Sequence, residues 1–168
     1  MNIKLDSGTA LEALKWIINF LETNDIPYLV CGGLAAIAYG SRRPLYDIDI
    51  YVPDSSYQTV IEFGTDYISY GPERYCDDHW KVDYVQFIYS GQKIEVGSSK
   101  DIQIFDVKNK IWHKESLDFS AYERIVISGQ IIRVMDKQSL IAYKKKLNRD
   151  VDIIDIEQIQ GRTFKSVK

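Results

Sequence analysis

The apolar residues in the first third of the chain change between a helical period and a strand period. Helical spacing predicts a first helix that ends near residues 23–25, with an apolar face formed by Leu11, Leu14, Ile17, Ile18 and Leu21. Residues 28–31 are apolar throughout, which is typical of a strand buried on both faces. A short helix is then expected from Gly33, and residues 47–52 alternate between polar and apolar side chains, which predicts a strand with one buried face.

Beyond residue 52 the pattern predicts two β-hairpins and a helical C-terminal segment. A proline followed by an aspartate and two serines at 53–56 indicates the start of a second helix. Each hairpin turns at a Ser-Gly-Gln tripeptide, which is ordinary turn chemistry. The later predicted elements are hairpin strands 82–89 and 93–96, hairpin strands 122–127 and 131–134, and helices 139–147 and 151–158.

Several stretches have no clear period. We expect a frayed lead-in at 1–6, a variable loop at 64–81, a strand at 102–107 within the irregular stretch 98–121, and a loose tail at 161–168. These boundaries predict an α/β domain over residues 1–135, with C-terminal helices over residues 136–160 packed on it.

Composition and charge narrow the class of protein. A chain of 168 residues fits one domain, and its net charge of -3 argues against a large nucleic-acid-binding surface. A small or nucleotide-like partner is consistent with that charge. Cys31 and Cys76 form neither a disulfide framework nor a metal knuckle. No signal-like or membrane-spanning stretch is recognised, so we expect a reduced, cytoplasmic protein without a membrane partner.

The candidate chemistry lies between the first two predicted strands. Gly32 and Gly33 follow the first strand directly, where small residues let a ligand approach the backbone and a following helix would favour phosphate. Asp47 and Asp49 lie on the same face of the next strand, because side chains alternate along a strand. Two neighbouring carboxylates repel each other, and a divalent cation relieves that repulsion. Together these features indicate phosphoryl or nucleotidyl transfer.

This combination of Gly32-Gly33, a helix-sized gap and Asp47-Ile48-Asp49 resembles the nucleotidyltransferase superfamily related to DNA polymerase beta. It is most similar to small nucleotidyltransferase-like proteins and to the lincosamide and aminoglycoside nucleotidyltransferases. The resemblance implies an α/β (α+β) fold, with a mixed β-sheet flanked by helices and further helices at the C-terminus. It also implies Mg²⁺ at a two-metal site, with Asp47 and Asp49 as catalytic ligands and Gly32 and Gly33 holding NTP phosphates.

A third carboxylate is expected near the acceptor hydroxyl in two-metal chemistry. Glu95 is the leading candidate as catalytic group and metal ligand, because its apolar neighbours must point inward and leave it on the face of the acidic pair. The resemblance also implies an acidic residue on such a strand, although relatives often carry aspartate there. Asp83 and Asp106 remain alternatives, since each sits between apolar residues in a predicted strand.

Three cations are candidate nucleotide ligands. Arg42 and Arg43 precede the acidic strand, where they either form a solvated turn or neutralise triphosphate. Lys144 lies on an apolar stripe of a predicted helix, so its ammonium either reaches the helix edge or enters a cleft. Its replacement by methionine is then expected to cost little stability. The nearby Arg149, Asp152 and Asp155 are expected to form ordinary surface ion pairs.

The function expected from these features is metal-dependent transfer of a nucleoside monophosphate from an NTP to a hydroxyl, with release of pyrophosphate. The acceptor is a small molecule or the end of a protein or RNA, and no motif in the sequence identifies it. The alternative is a non-catalytic or regulatory relative: a nucleotide- or protein-binding module or one component of a toxin–antitoxin pair. A homodimer or a toxin–antitoxin partner is compatible with either function.

Overall fold

The computed structural model describes residues 2–161, which form one mixed ten-stranded sheet with helices packed on it. The strands are β1 (Asn2–Ile3), β2 (Leu29–Cys31), β3 (Asp47–Val52), β4 (Ile68–Cys76), β5 (Trp80–Tyr89), β6 (Gln92–Ser98), β7 (Gln103–Asp106), β8 (Ile111–Lys114), β9 (Tyr122–Ile127) and β10 (Gln130–Met135). The helices are α1 (Gly8–Thr23), α2 (Gly32–Ala38), α3 (Asp54–Phe63), α4 (Lys137–Leu147) and α5 (Asp150–Gly161), with a 3₁₀ turn at Thr65–Tyr67.

The sheet brings the predicted acidic strands side by side at its centre. Its strand order is β1-β9-β10-β2-β3-β6-β5-β7-β8, and β4 pairs with β5 outside that path. The pairs β1/β9, β10/β2 and β3/β6 are parallel and the others antiparallel, so the sheet is mixed as expected. In the parallel pair β3/β6, Asp49 is the register partner of Glu95.

The two faces of the central strands have different roles. Ile48, Ile50, Ile94 and Val96 are fully or almost fully buried on one face. On that side, Trp16 of α1 packs its ring edge-on against Phe87, with ring centroids 5.8 Å apart. The acidic side chains alternate with these residues and face the other way. The apolar face therefore fixes the register of β3 and β6, and with it the position of the acids.

The C-terminal helices cover the acidic face. Asp136 caps α4 by accepting a hydrogen bond from the backbone N–H of Ser139 at 3.0 Å. Helix α4 packs against α5, β7 and α2. No helix of the described part of the chain is both long and apolar enough to span a bilayer.

The predicted hairpins are confirmed, and their turns contain two residues each. Ser90 and Gly91 both have positive φ, and so do Ser128 and Gly129. This conformation is the type I′ geometry that suits the twist of a hairpin. The third residue of each Ser-Gly-Gln tripeptide already belongs to the following strand.

The prediction of a variable loop at 64–81 was wrong for most of that stretch. Residues Ile68–Cys76 form β4, which pairs antiparallel with β5. Its register shifts on both sides of Tyr70, and Gly71 has a φ of +71°. These irregularities and the exposure of the edge strand remove the polar–apolar alternation from which a strand is recognised.

Shorter departures occur elsewhere. The expected lead-in contains β1, where the backbone N–H groups of Ser128 and Gly129 donate to the Ile3 carbonyl and the Asn2 side chain. Strand β8 was not predicted, although the expected strand at 102–107 is present as β7. Two- and four-residue strands are too short to produce a periodic signal. Helix α5 extends to Gly161, and the remainder of the expected tail lies outside the described residues.

Candidate active site

Three carboxylates converge on the acidic face of the sheet. Asp47, Asp49 and Glu95 each offer a ligand oxygen, and these oxygens all lie within 4.8 Å of one another. Glu95 Oε1 also accepts a hydrogen bond from Gln86 Nε2 at 3.0 Å, so β5 holds the carboxylate in place. Hard oxygen donors at this spacing suit a cation such as Mg²⁺. Gln86, the register partner of Glu95, had no signal in the sequence as a site residue.

The first glycine of the pair is required by Asp49. Gly32 has a φ of +60°, and a Cβ atom there would lie 2.0 Å from Asp49 Oδ2. Both the positive φ and the lack of space beside Asp49 exclude a side chain at this position. The Asp49 carboxylate therefore lies directly against the Gly32 backbone, so the glycine turn and the acidic strand form one site.

Burial and mutual repulsion alter the acid–base properties of the site. Burial, then the charges of Asp47 and Glu95, raise the pKa of Asp49 well above its usual range. Burial and the charge of Asp47 also raise the pKa of Glu95, against a lowering by its hydrogen bonds to Gln86 and Asp49. Without a cation the site therefore favours a bound proton, and a cation would displace it.

The second glycine lies beneath a guanidinium group. A Cβ at Gly33 would approach Arg43 Nη2 to 2.8 Å, so the arginine lies against this turn. Arg43 Nη1 forms an ion pair with Asp155 at 3.1 Å, while the buried Nε has no hydrogen-bond partner among the described residues. Arg43 thus presents an unsatisfied donor next to the glycine turn.

Lys144 is the centre of a buried charge network. Its side chain is 1% exposed, and Nζ lies 3.2 Å from Asp152 Oδ1 and 2.9 Å from Asp155 Oδ2. Arg149 Nε forms a second ion pair with Asp152 at 2.7 Å. Asp155 also accepts a hydrogen bond from Ser41 Oγ at 2.7 Å. The network ties both C-terminal helices to the segment that follows α2.

The expectation of ordinary surface ion pairs at Asp152 and Asp155 was wrong, because both residues are 0% exposed. Isoleucines on another side of α5, Ile153 and Ile154, are 40% and 48% exposed instead. The helix thus turns its aspartates inward, where cations compensate them. Burial alone would raise the pKa of Asp152, but Arg149 and then Lys144 hold it below its usual value.

The other predicted candidates lie apart from the three carboxylates. Asp83 forms an ion pair with Arg74 at 3.4 Å, and Asp106 accepts hydrogen bonds from Asn109. The Arg42 side chain does not line the cavity at the carboxylates; its backbone N–H donates to Gln158 Oε1 at 2.6 Å. Glu95 is therefore the third carboxylate of the cluster by geometry.

A cavity of about 330 Å³ opens onto the carboxylates. Gly32, Gly33 and Arg43 line it near the acids, α4 contributes Lys144, and the turn between α4 and α5 contributes Arg149. Its remaining wall is largely aromatic: Tyr51, Tyr75, Trp80, Tyr84 and Tyr143. No sequence pattern separates these rings from ordinary packing residues, since they come from three strands and a helix.

Known structures share this architecture. TM1012 of Thermotoga maritima, a candidate nucleotidyltransferase, matches with a TM-score of 0.68 and 20% identity, over 95% of this chain and 94% of its own. LnuA, a lincosamide antibiotic adenylyltransferase solved with lincomycin bound, matches with a TM-score of 0.59 and 15% identity, over 95% and 98% of the two chains. ANT(2'')-Ia, solved with adenylyl-2''-tobramycin, matches with a TM-score of 0.60 and 14% identity, over 92% and 90%.

A scan against protein-family models and a search of curated proteins gave no match. At identities below 25%, structural similarity establishes architecture and leaves the reaction open. The similar structures each align along nearly the whole of both chains. The mixed sheet, the glycine turn beside two acidic strands and the covering helices therefore give one conclusion: this chain has the nucleotidyltransferase fold.

Proposed function

We propose that this protein transfers a nucleoside monophosphate from an NTP to a hydroxyl group of an acceptor and releases pyrophosphate, in a reaction that depends on a divalent cation. The observation that carries the proposal is the cluster of Asp47, Asp49 and Glu95, with ligand oxygens within 4.8 Å of one another beside the Gly32-Gly33 turn. The adenylyltransferase activity of LnuA, a protein of the same fold, supports it.

The donor set fits Mg²⁺. Burial and the neighbouring carboxylates raise the pKa of Asp49, burial and the charge of Asp47 raise that of Glu95, and a cation would relieve the repulsion among these groups. Asp47, Asp49 and Glu95 would hold the metal, with nucleotide and water oxygens completing its coordination. When bound, Mg²⁺ neutralises the charge that develops on the phosphates during transfer.

The triphosphate would lie between the glycine turn and the cations. The bare backbone at Gly32 and Gly33 allows close approach. Arg43 Nε, a donor without a partner in the part of the chain that the structure describes, supports an anionic ligand here. Lys144 lines the same cavity and adds positive charge to its wall. Arg42, outside the lining, is not part of this proposal.

The acceptor hydroxyl oxygen would form the new bond to the α-phosphorus while the bond to the pyrophosphate oxygen breaks. Glu95 would take the proton of that hydroxyl as a general base. Gln86 fixes the orientation of Glu95 through its 3.0 Å hydrogen bond. Arg43 would balance the charge on the departing pyrophosphate.

A thermal-shift experiment tests the nucleotide site without knowledge of the acceptor. Mg²⁺ with each NTP should raise the melting temperature of the wild type, because ligand binding stabilises the native state. The double variant Asp47→Asn/Asp49→Asn should remain folded and lose that shift. A double variant that kept the full shift would contradict the proposed location of the nucleotide.

A non-catalytic nucleotide binder is the competing function. It would show the same thermal shift but no pyrophosphate release. Cytoplasmic location and a homodimeric or toxin–antitoxin partner stay predictions.

A further inference from the structure

The structure points to the chemical class of the acceptor: we infer that it is a compact, non-cationic, ring-bearing alcohol bound against the aromatic wall of the cavity. The aromatic wall is Tyr51, Tyr75, Trp80, Tyr84 and Tyr143. This inference rests on the proposed function and specifies the substrate of the same site.

The centre of the wall is a tyrosine ring lying flat on the sheet. Tyr51, Gly97 and Tyr84 are register neighbours across β3, β6 and β5. A Cβ atom at Gly97 would lie 2.6 Å from the Tyr51 ring, so the ring occupies the space that a side chain would fill. Because Gly97 has no side chain, the Tyr51 ring can lie on β6 at this position and form the aromatic floor of the cavity.

Two hydrogen bonds engage polar atoms of the rings around that floor. Trp80 Nε1 donates to Tyr143 Oη at 3.0 Å. Tyr75 Oη donates to Asp77 Oδ2 at 3.0 Å, and the Tyr75 ring meets Tyr84 edge-on with centroids 5.3 Å apart. The wall therefore presents ring surface beside Arg149, whose guanidinium lies 4.7 Å from the Trp80 ring centroid, and such a surface favours a flat or alicyclic ligand.

The charges of the cavity argue against a polycationic acceptor. In the described part of the chain, the carboxylates lining the cavity are the three assigned to the metal. Its cations are Arg43, Lys144 and Arg149, and each forms an ion pair with Asp152 or Asp155 on the side away from the ligand space. A polycation would meet positive charge and would find no free carboxylate to pair with.

The order of groups along β3 assigns the wall to the acceptor rather than to the nucleobase. Arg43, the proposed partner of the pyrophosphate, lies over Tyr46, 5.7 Å from its ring centroid, and Tyr46 immediately precedes Asp47 in the chain. The wall begins at Tyr51, beyond Asp49 at the opposite end of the strand. Attacking and leaving oxygens lie roughly in line in phosphoryl transfer. An acceptor opposite Arg43 would therefore rest on the wall.

The indole N–H resonance of Trp80 provides a direct test by ¹⁵N NMR. The probes are 4-nitrophenyl β-D-glucoside, 2-phenylethanol and 2-naphthol as uncharged ring-bearing alcohols, and tobramycin as a polycation. We expect the alcohols to shift the Trp80 resonance and to leave those of Trp16 and Trp112 unchanged. Trp80→Leu should weaken binding of the best alcohol about tenfold, the worth of a good ring contact, and the exposed Trp112→Leu should not.

Three results would overturn the inference: no Trp80 response to any alcohol, a response to tobramycin alone, or loss of ATP affinity in Trp80→Leu with alcohol binding intact. The last would assign the wall to the nucleobase. If Trp80→Leu fails to fold, Tyr84→Leu supplies the same comparison. Failure of the proposed function is separate, because it appears as absent Mg²⁺–NTP stabilisation of the wild type or as absent pyrophosphate release, whatever the alcohols do to the Trp80 resonance.

Discussion

Replacing Lys144 by methionine should destabilise the protein strongly. The position of Lys144 on an apolar helical stripe predicts a tolerant site, because methionine keeps most of the bulk of the side chain. The structure contradicts that prediction, since the ammonium compensates two aspartates that are 0% exposed. Its removal takes a cation out of a buried network and leaves both carboxylates with one partner fewer.

The size of the loss in stability depends on the ion pairs that Asp152 and Asp155 keep in the variant. Removing one partner of a buried ion pair costs about 3–5 kcal/mol. Asp152 keeps Arg149 at 2.7 Å and Asp155 keeps Arg43 at 3.1 Å, which favours the lower end of that range. We therefore expect a loss of about 3 kcal/mol, or on the order of 6–12 °C in melting temperature for a chain of this size.

Urea denaturation measures this loss of stability directly. The urea concentration at the midpoint should fall, while the slope of the unfolding free energy against urea concentration stays the same. Lys145→Met is the matched control, because Lys145 is exposed on the same helix and should change stability by less than about 0.5 kcal/mol. Equal effects of the two substitutions, or a loss at Lys144 below about 1 kcal/mol, would refute the idea that the network stabilises the fold.

Three further predictions concern the acids and the glycine turn. Asp49→Asn should stabilise the metal-free protein, and by more at about pH 8 than at about pH 5. The raised pKa of Asp49 means that the folded state binds this proton more tightly than the unfolded state does. The wild type therefore loses stability as the pH rises through that pKa, and the asparagine variant does not. Gly32→Ala should cost on the order of 2–4 kcal/mol by denaturation, because its Cβ would collide with Asp49 at a φ of +60°, whereas Gly91→Ala, with open space around it, should cost less. Mg²⁺ affinity, measured by calorimetry, should rise with pH and binding should release protons, because the raised pKa values of Asp49 and Glu95 favour a bound proton that the cation must displace.

Each of these has a contrary outcome. A stabilisation by Asp49→Asn that stayed the same from about pH 5 to about pH 8 would mean that the carboxyl is already ionised in the folded protein over that range. A tolerated Gly32→Ala would show that Asp49 does not depend on the glycine. Metal binding without proton release would contradict the raised pKa values.

The centre of the sheet could be predicted because its signals are local. The alternation of Asp47, Asp49 and the isoleucines between them indicates both a strand and the side on which its carboxylates lie. The same reasoning at Glu95 leads to the correct face. These inferences need only the period of a strand, which the residues themselves carry.

The features that could not be predicted depend on partners distant in sequence. Lys144 acquires its buried partners because α5 turns Asp152 and Asp155 inward, and no local pattern in α5 distinguishes them from surface acids. Strand β4 is defined by its pairing with β5 rather than by its own sequence. The aromatic wall likewise collects rings from separate strands, so its composition emerges only in the fold.

The most direct test of the central claim is release of pyrophosphate from labelled NTPs by the purified protein. The four NTPs would be supplied with Mg²⁺ and the ring-bearing alcohols, and the wild type compared with Asp47→Asn/Asp49→Asn. We predict that the label moves to an acceptor with equal release of pyrophosphate, that Mg²⁺ is required, and that the double variant is inactive. Stabilisation by Mg²⁺–NTP without pyrophosphate release from any of them would contradict the account and identify the protein as a nucleotide binder.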